Sequence, residues 1–184
     1  MAEVQVPRLP LEVARDQAVA LFSRAGAMLL QVLVDRYGSE ETYKIIYPYF
    51  KQMGKDIAAL APQIGITGND AIALSAITHV MEEQVIGVVG KPEEVSPDRV
   101  VKRATACSLQ NYPMDVCRVF YPICDGIAEV INPQYKWYIT KAIPKGDPIC
   151  EFVWEKKSRR GWRVGPQAGL EPATRGLGNR CSVR

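Results

Sequence analysis

Four of the five cysteines lie between positions 107 and 150, and their surroundings differ in kind. Cys107 ends a run of β-branched residues, Cys117 and Cys124 stand seven apart in a helical pattern, and Cys150 opens a second β-like run. Thiols from separate elements of one domain can meet, and sulfur is the ligand that soft metals prefer. We therefore predict a metal site formed by Cys107, Cys124 and Cys150 that holds zinc or iron. A zinc ion there would have tetrahedral coordination.

Two other roles fit the same cysteines. A thiolate of lowered pKa at Cys107 or Cys124 would be a nucleophile, and a buried free cysteine often packs as a small apolar residue. The spacing is not that of a C-x-x-C motif, so metal binding, nucleophilic chemistry and core packing all stay open. Cys117 is the least favoured ligand, because Pro122 is expected to bend the helix that carries it.

The single histidine of the chain could take part in acid–base chemistry. His79 has Glu82 and Glu83 three and four residues later, positions that share one helix face. A carboxylate can orient an imidazole for acid–base work, whereas the alternative is a surface pair that stabilises the helix. Asp125, next to Cys124, could act as a base or a ligand. The catalytic candidates are therefore His79, Glu83 and Asp125, and the chain has no Gly-rich phosphate loop, G-x-S-x-G or H-E-x-x-H motif.

Composition is that of a soluble globular protein, with 47% hydrophobic and 23% charged residues in 184. Residues 1–16 lack an apolar stretch behind a basic start, so no secretory signal is expected, and reduced thiols in the cytoplasm follow. The apolar run 17–34 contains Ser23 and Arg24 near its middle. Because a central arginine is costly in a bilayer, we expect a buried or amphipathic helix here and no membrane span.

The net charge of +3 is unevenly distributed. Residues 156–184 hold eight basic residues and one acidic residue, which leaves 15 basic and 19 acidic residues in 1–155. The body is therefore mildly acidic and is not expected to bind nucleic acid. Residues 158–184 are expected to form a basic, disordered tail, and Cys181 is placed outside any site.

The order of elements predicts an α+β domain over residues 1–157, with an N-terminal helical layer on a small antiparallel sheet and one inserted helix. Helices are expected across 9–90: one from Pro10 to Gly38, one after Ser39 that Pro48 kinks, and one capped by Asn69 or Asp70 that ends at Gly90. A polar connection follows. Residues 97–157 then predict strand, helix, strand and strand, with the last two paired.

The sequence from Cys107 onwards resembles a known family. The resemblance rests on Cys107 after its strand, on FYPICDGIAEVINPQYKW, and on GDPICEFVW. These segments are similar to the L-2-amino-thiazoline-4-carboxylic acid hydrolase-like family, which is distantly similar to vinyl-4-reductase-type (V4R) small-molecule-binding domains. The resemblance covers roughly residues 70–156. The positions that match its pattern are Cys107, Cys124, Asp125, Gly146, Asp147 and Cys150.

This resemblance implies a function in two forms. The hydrolase-like family implies hydrolytic opening of a cyclic C–N bond in a sulfur-containing amidine. The V4R likeness implies a non-catalytic domain that binds or senses a small heterocyclic or aromatic molecule, with structural cysteines and in some members a zinc site. A third hypothesis uses the helix at 17–34 as the interface of a homo-oligomer, which an exposed apolar stripe would support.

Overall fold

The computed structural model describes residues 8–158, and the predicted tail, with Cys181, lies outside this range. The described chain is an α+β fold in which helices pack on one face of an antiparallel sheet, as the sequence predicts. The helices are α1 (Leu11–Tyr37), α2 (Ser39–Ala59), α3 (Ala71–Met81), α4 (Met114–Cys117) and α5 (Phe120–Ile131), with short 3₁₀ helices at Ala61–Ile64 and Ile143–Lys145 and a π-helical turn at Glu82–Ile86. The strands are β1 (Val89–Val95), β2 (Arg99–Ala106), β3 (Tyr135–Lys141) and β4 (Cys150–Lys156).

Several helix ends follow from single residues. Gly38 ends α1 with a φ of 78°, a backbone conformation that residues other than glycine rarely adopt. The Asp70 carboxylate accepts hydrogen bonds from the amides of Ile72 and Ala73, both at 3.0 Å, and so caps α3 as the sequence predicts. Pro48, where a kink is predicted, lies inside α2, which runs as one helix from Ser39 to Ala59.

A bend is predicted at Pro122, whereas the division of this helical segment lies earlier in the chain. The helical segment divides after Cys117, so that α4 and α5 are separate helices, and Pro122 lies in the first turn of α5. Proline is tolerated there because the first-turn amides have no partner within the helix. Cys117 and Cys124 therefore belong to different helices.

The four strands have the order β1-β2-β4-β3, and all neighbours are antiparallel. β3 and β4 pair as the sequence predicts. β1 was predicted as a polar connection, because Val89–Val95 contains a proline and two glutamates. It is an exposed edge strand with register shifts between Val89 and Gly90 and between Pro92 and Glu94, and edge strands accept both proline and charge.

The helix predicted to reach Gly90 ends sooner. α3 stops at Met81, the turn Glu82–Ile86 follows, and Gly87 closes it with a φ of 75°. Such π-helical turns are rare and are often found at functional sites. This turn places Glu82 and Ile86 at the sheet end of the helical layer.

α2 and α5 pack closely enough to require glycine on both helices. A Cβ at Gly54 would lie 2.0 Å from the Ile123 carbonyl oxygen, and one at Gly126 would lie 2.0 Å from the Lys51 carbonyl oxygen. These contacts involve backbone atoms, which cannot move aside as a flexible side chain can. The pair fixes the position of α5, which carries Cys124 into the domain.

α1 differs from the other helices in exposure. Among its side chains only Ser23 and Ala27 are fully buried, and the helix is long and apolar enough by length and composition to cross a membrane. Length and composition are weak grounds for a span, because a core helix or a signal sequence meets the same criteria.

Candidate functional site

The candidate site is an apolar cavity between the helical layer and one end of the sheet. The space within it that a water-sized sphere can occupy is about 40 Å³. This volume is below the roughly 300–1,000 Å³ that is typical of small-molecule pockets, so a bound ligand would have to displace side chains of the cavity wall. The cavity is lined by Met81, Glu82, Ile86, Val88, Cys107, Leu109, Met114, Cys117, Phe120, Cys124, Trp137, Ile139, Ala142, Pro144, Cys150 and Phe152.

The sheet supplies one wall through strand alternation. In β4, Cys150 and Phe152 point to the helices, and in β3 Trp137 and Ile139 do so. Phe152 lies beside Ile139 in the paired strands, and its ring stacks on Trp137 with centroids 5.7 Å apart. The stacked aromatic side chains therefore line the cavity on the side of the sheet.

The structure brings all four cysteines of the described chain to this cavity. Cys124 and Cys150 are buried, and Cys107 and Cys117 are partly buried. The Cys107 sulfur accepts a hydrogen bond from the Leu109 amide at 3.4 Å. Cys117, which was the least favoured from sequence, lines the cavity with the other three because α4 ends at its position.

Burial keeps these thiols protonated. It raises the pKa of Cys107 and of Cys150, raises that of Cys117 to about 12, and raises that of Cys124 well above the ordinary thiol value. Within residues 8–158, no three His, Cys, Asp or Glu side chains are grouped closely enough to hold a metal ion. The three cysteines of the predicted zinc or iron site, Cys107, Cys124 and Cys150, therefore line the same cavity. They are not grouped closely enough to coordinate a metal ion. Neutral thiols in an apolar wall act as packing groups.

One charged group faces the cavity among the described lining residues. Glu82 is 7% exposed, and its Oε2 lies 2.6 Å from the Lys102 ammonium, which is also buried. Burial raises the pKa of Glu82, and the charge and hydrogen bond of Lys102 oppose this rise. The pair is thus a polar anchor in a wall that is otherwise almost entirely apolar.

The three catalytic candidates lie outside the cavity lining. His79 Nε2 is 3.2 Å from Glu83 Oε2, so the predicted pair forms, but Glu83 is largely exposed. Burial lowers the pKa of His79, Lys102 lowers it further and Glu83 opposes them, and Nδ1 has no hydrogen-bond partner among residues 8–158. Asp125 is on the exposed side of α5, where it accepts a hydrogen bond from the Tyr47 hydroxyl at 3.0 Å. The structure therefore forms the His79–Glu83 pair and places none of the three residues in the cavity lining.

Sequence reasoning missed the Glu82–Lys102 pair. Glu82 was considered only as a neighbour of His79. The available signal was Lys102 itself, which alternates with Val100 and Ala104 on the inward face of β2. A lysine at an inward position needs a buried partner, because an unpaired buried charge is costly.

The chain is similar in fold to solved structures of other proteins. The chain resembles a trafficking protein particle complex subunit 3 from Naegleria fowleri covalently bound to palmitic acid, with a TM-score of 0.58, 12% identity and coverage of 76% of this chain and 95% of that one. It also resembles the phenol-responsive sensory domain of the transcription activator PoxR with phenol, with a TM-score of 0.52, 16% identity and coverage of 75% and 74%.

The fold is shared with a small-molecule sensory domain. At these identities the likeness concerns the fold alone. No family model matches the sequence, and no curated protein does. The resemblance to the hydrolase-like family therefore has no support from these comparisons, whereas the expected relation to small-molecule-binding domains has support at the level of the fold.

Proposed function

We propose that this protein is a non-catalytic binding domain for a small apolar or aromatic molecule, which occupies the cavity between α3, α5 and the sheet. The observation that carries the proposal is an apolar cavity with a single carboxylate, that of Glu82, among its described lining residues. Pockets for small ligands commonly combine apolar walls with a few polar groups that fix orientation. The phenol-bound sensory domain of PoxR supports this assignment, because it places a small aromatic ligand in a domain of similar fold.

The wall chemistry defines the class of ligand. Phe120, Trp137 and Phe152 offer apolar surface to a ring or a short alkyl group. The Glu82 carboxylate has about four lone-pair sites, and the observed hydrogen bond from Lys102 occupies one of them. A hydroxyl or amine on the ligand can donate to the same carboxylate. A phenol-like molecule, apolar with one donor, meets both conditions.

The positions of the catalytic candidates favour binding over hydrolysis. A nucleophilic cysteine requires a lowered pKa, whereas burial raises the pKa of each thiol in the cavity. His79, Glu83 and Asp125 do not line the cavity, so none of them lies beside a molecule bound there. The hydrolase remains a prediction of the sequence resemblance without a supporting arrangement of residues.

A second candidate ligand is a fatty acyl chain. The observation that favours it is the almost wholly apolar lining with four thiols, together with the palmitic acid bound covalently to the Naegleria fowleri subunit of similar fold. Intact mass spectrometry of the freshly purified protein tests this directly. A mass increase that hydroxylamine removes would identify a thioester and replace the small aromatic ligand by an acyl group.

Titration calorimetry with phenol and toluene tests the primary proposal. Both ligands should bind, and phenol should bind more tightly because its hydroxyl donates to Glu82. Glu82→Gln should weaken the binding of phenol by about tenfold, since a hydrogen bond to a charged group contributes about 1.5–3 kcal/mol. The same substitution should leave the affinity for toluene nearly unchanged. Glu83→Gln is the matched control and should change neither affinity. Absence of saturable binding by both compounds would overturn the proposal.

A further inference from the structure

The outer face of α1 carries a continuous apolar stripe. Five large side chains on this face are between 57% and 71% exposed: Leu21, Phe22, Met28, Leu29 and Val32. They repeat at seven-residue intervals, with Leu21 seven before Met28 and Phe22 seven before Leu29. A repeat of seven is typical of a helix face that packs against a second helix. We call these five residues the outer stripe.

The opposite face of α1 is held by the domain. Ser23 and Ala27 are buried, and the Ser23 hydroxyl donates to the Ile86 carbonyl oxygen at 3.4 Å. Ala27 packs in a cluster with Leu109 and Val116 beside the cavity. Rotation of α1 to bury the outer stripe would break these contacts. One face of α1 is therefore fixed to the domain, and the outer stripe on the other face stays exposed.

The area of the outer stripe is close to what a specific interface needs. With roughly 200 Å² for the full surface of a large apolar residue, the exposed fractions of its five members amount to roughly 650 Å² per copy. Stable interfaces bury roughly 800 Å² per partner, and the exposed Ala18 and Ala25, which lie between the members of the stripe, add to its area. Apolar patches of this size on a soluble protein mark interaction sites.

The charges of α1 favour a protein partner over a lipid surface. The helix has three acidic and three basic residues, Glu12, Asp16 and Asp35 against Arg15, Arg24 and Arg36. Helices that lie on membranes usually carry an excess of lysine and arginine along the polar edge. Arg24 also faces a surface cleft that Ser108 and Tyr112 line, so a bilayer that covered the stripe would have to enclose this cation or its cleft.

We infer that the outer stripe is the interface between two copies of this chain, with the two α1 helices packed in an antiparallel pair. The centre of the stripe has the small residues Ala25 and Gly26, and a Cβ added at Gly26 would contact nothing within 4 Å. Leu29 of one copy can therefore pack against Ala25 of the other, and the twofold axis repeats the contact in reverse. Large side chains at both ends and small ones at the centre make the face complementary to itself.

Sedimentation velocity of the full chain, over the micromolar range and without detergent, tests the inference. The wild type should sediment as a dimer. Leu29→Glu should raise the dissociation constant at least tenfold, because two carboxylates would enter an apolar contact. Val130→Glu is the matched control, an exposed apolar residue on α5 that should leave the dimer intact. Because Leu29 is exposed, the substitution is not expected to unfold the domain, and circular dichroism checks that point.

Two results would overturn the inference. One is a monomer at all concentrations, whether or not it floats with phosphatidylcholine vesicles; flotation would assign the stripe to a lipid surface instead. The other is a dimer that Leu29→Glu leaves unchanged, because its interface would then lie elsewhere. As a second measurement, an equimolar mixture of the Ala25→Cys and Leu29→Cys variants should form a mixed intermolecular disulfide on mild oxidation, because positions 25 and 29 face each other in the antiparallel dimer. A mixture of Val130→Cys and Leu29→Cys should not.

Discussion

The Lys102 ammonium lies 2.6 Å from the Glu82 carboxylate, and both side chains are more than 90% buried. Lys102 reaches this position from β2 and Glu82 from the turn that follows α3, so the ion pair joins the sheet to the helical layer. Each charge has lost most of its hydration and depends on the other for compensation. The pair is therefore a structural connection as well as the polar part of the cavity.

Removal of one partner should be more damaging than removal of both. Lys102→Met leaves the Glu82 carboxylate buried without its cation, and we expect it to lower the free energy of unfolding by about 3–5 kcal/mol. The double variant Lys102→Met with Glu82→Leu should recover most of this loss, because it leaves neither charge. Urea unfolding followed by tryptophan fluorescence measures both values.

An exposed lysine provides the control for this prediction. Lys44 pairs with Glu41 on the surface of α2, where both side chains are more than half exposed. Lys44→Met should change stability by less than about 0.5 kcal/mol. Equal effects at Lys44 and Lys102 would show that the buried pair does not hold the layers together.

The contact between α2 and α5 gives a second prediction. Gly126→Ala places a Cβ 2.0 Å from the Lys51 carbonyl oxygen, so the helices must separate. We expect a loss of about 3 kcal/mol, at the upper end for overpacking, measured as a lower urea midpoint. Gly26→Ala, where the added Cβ meets nothing, is the control and should not destabilise. A tolerated alanine at 126 would contradict the close packing of these helices.

The sequence predicts the architecture where local signals are strong. Asp70 caps α3 and Gly38 ends α1 because each acts on its own backbone neighbours. The edge strand β1 could not be predicted in this way. Its pairing depends on β2, a partner later in the chain. Its glutamates, Glu93 and Glu94, are typical of a loop in sequence, and only the folded chain shows that both form ion pairs with Arg103 of β2. Long-range pairing of that kind leaves little trace in local composition.

The loss of folding stability at acidic pH should depend on Glu151. Hydrogen bonds from Thr140, at 2.6 Å, and from Arg103, at 2.9 Å, lower the pKa of Glu151 to about 2 from an ordinary value of 4.5. A lowered folded-state pKa contributes stability above pH 4.5 that is lost as the pH falls toward 2. The contribution is at most about 2 kcal/mol, because Arg103 and Lys141 are each a third or more exposed to solvent.

Two variants test this assignment by urea unfolding at several pH values. Glu151→Gln should lower stability at neutral pH and flatten the decline between pH 4.5 and 2, since the titrating group is absent. Thr140→Val removes the shorter hydrogen bond and should move the decline to higher pH. A Glu151→Gln profile parallel to that of the wild type would assign acid sensitivity to other carboxylates.

The candidate site was only partly accessible from sequence. The presence of Cys107, Cys124 and Cys150 at one place was expected from their elements, and the structure places them in one cavity. Their chemistry depends on burial and on the distances between sulfurs, which spacing along the chain does not determine. Cys117 illustrates the limit: its place in the wall follows from where α4 ends, three residues before α5 begins.

The thiols of the folded protein should be slow to alkylate. A pKa of about 12 at Cys117, against an ordinary value of 9.0, leaves about a thousandfold less thiolate at pH 8, and burial of Cys124 acts in the same direction. Iodoacetamide labelling with peptide mass spectrometry should therefore show Cys117 and Cys124 unmodified in the native protein and rapidly modified in urea. Bound phenol should slow the remaining reaction further if it fills the cavity. Rapid native labelling of Cys107 or Cys124 would instead reveal a lowered pKa, and a nucleophilic cysteine would then return the hydrolase to first place, because thiolate character is what that chemistry requires.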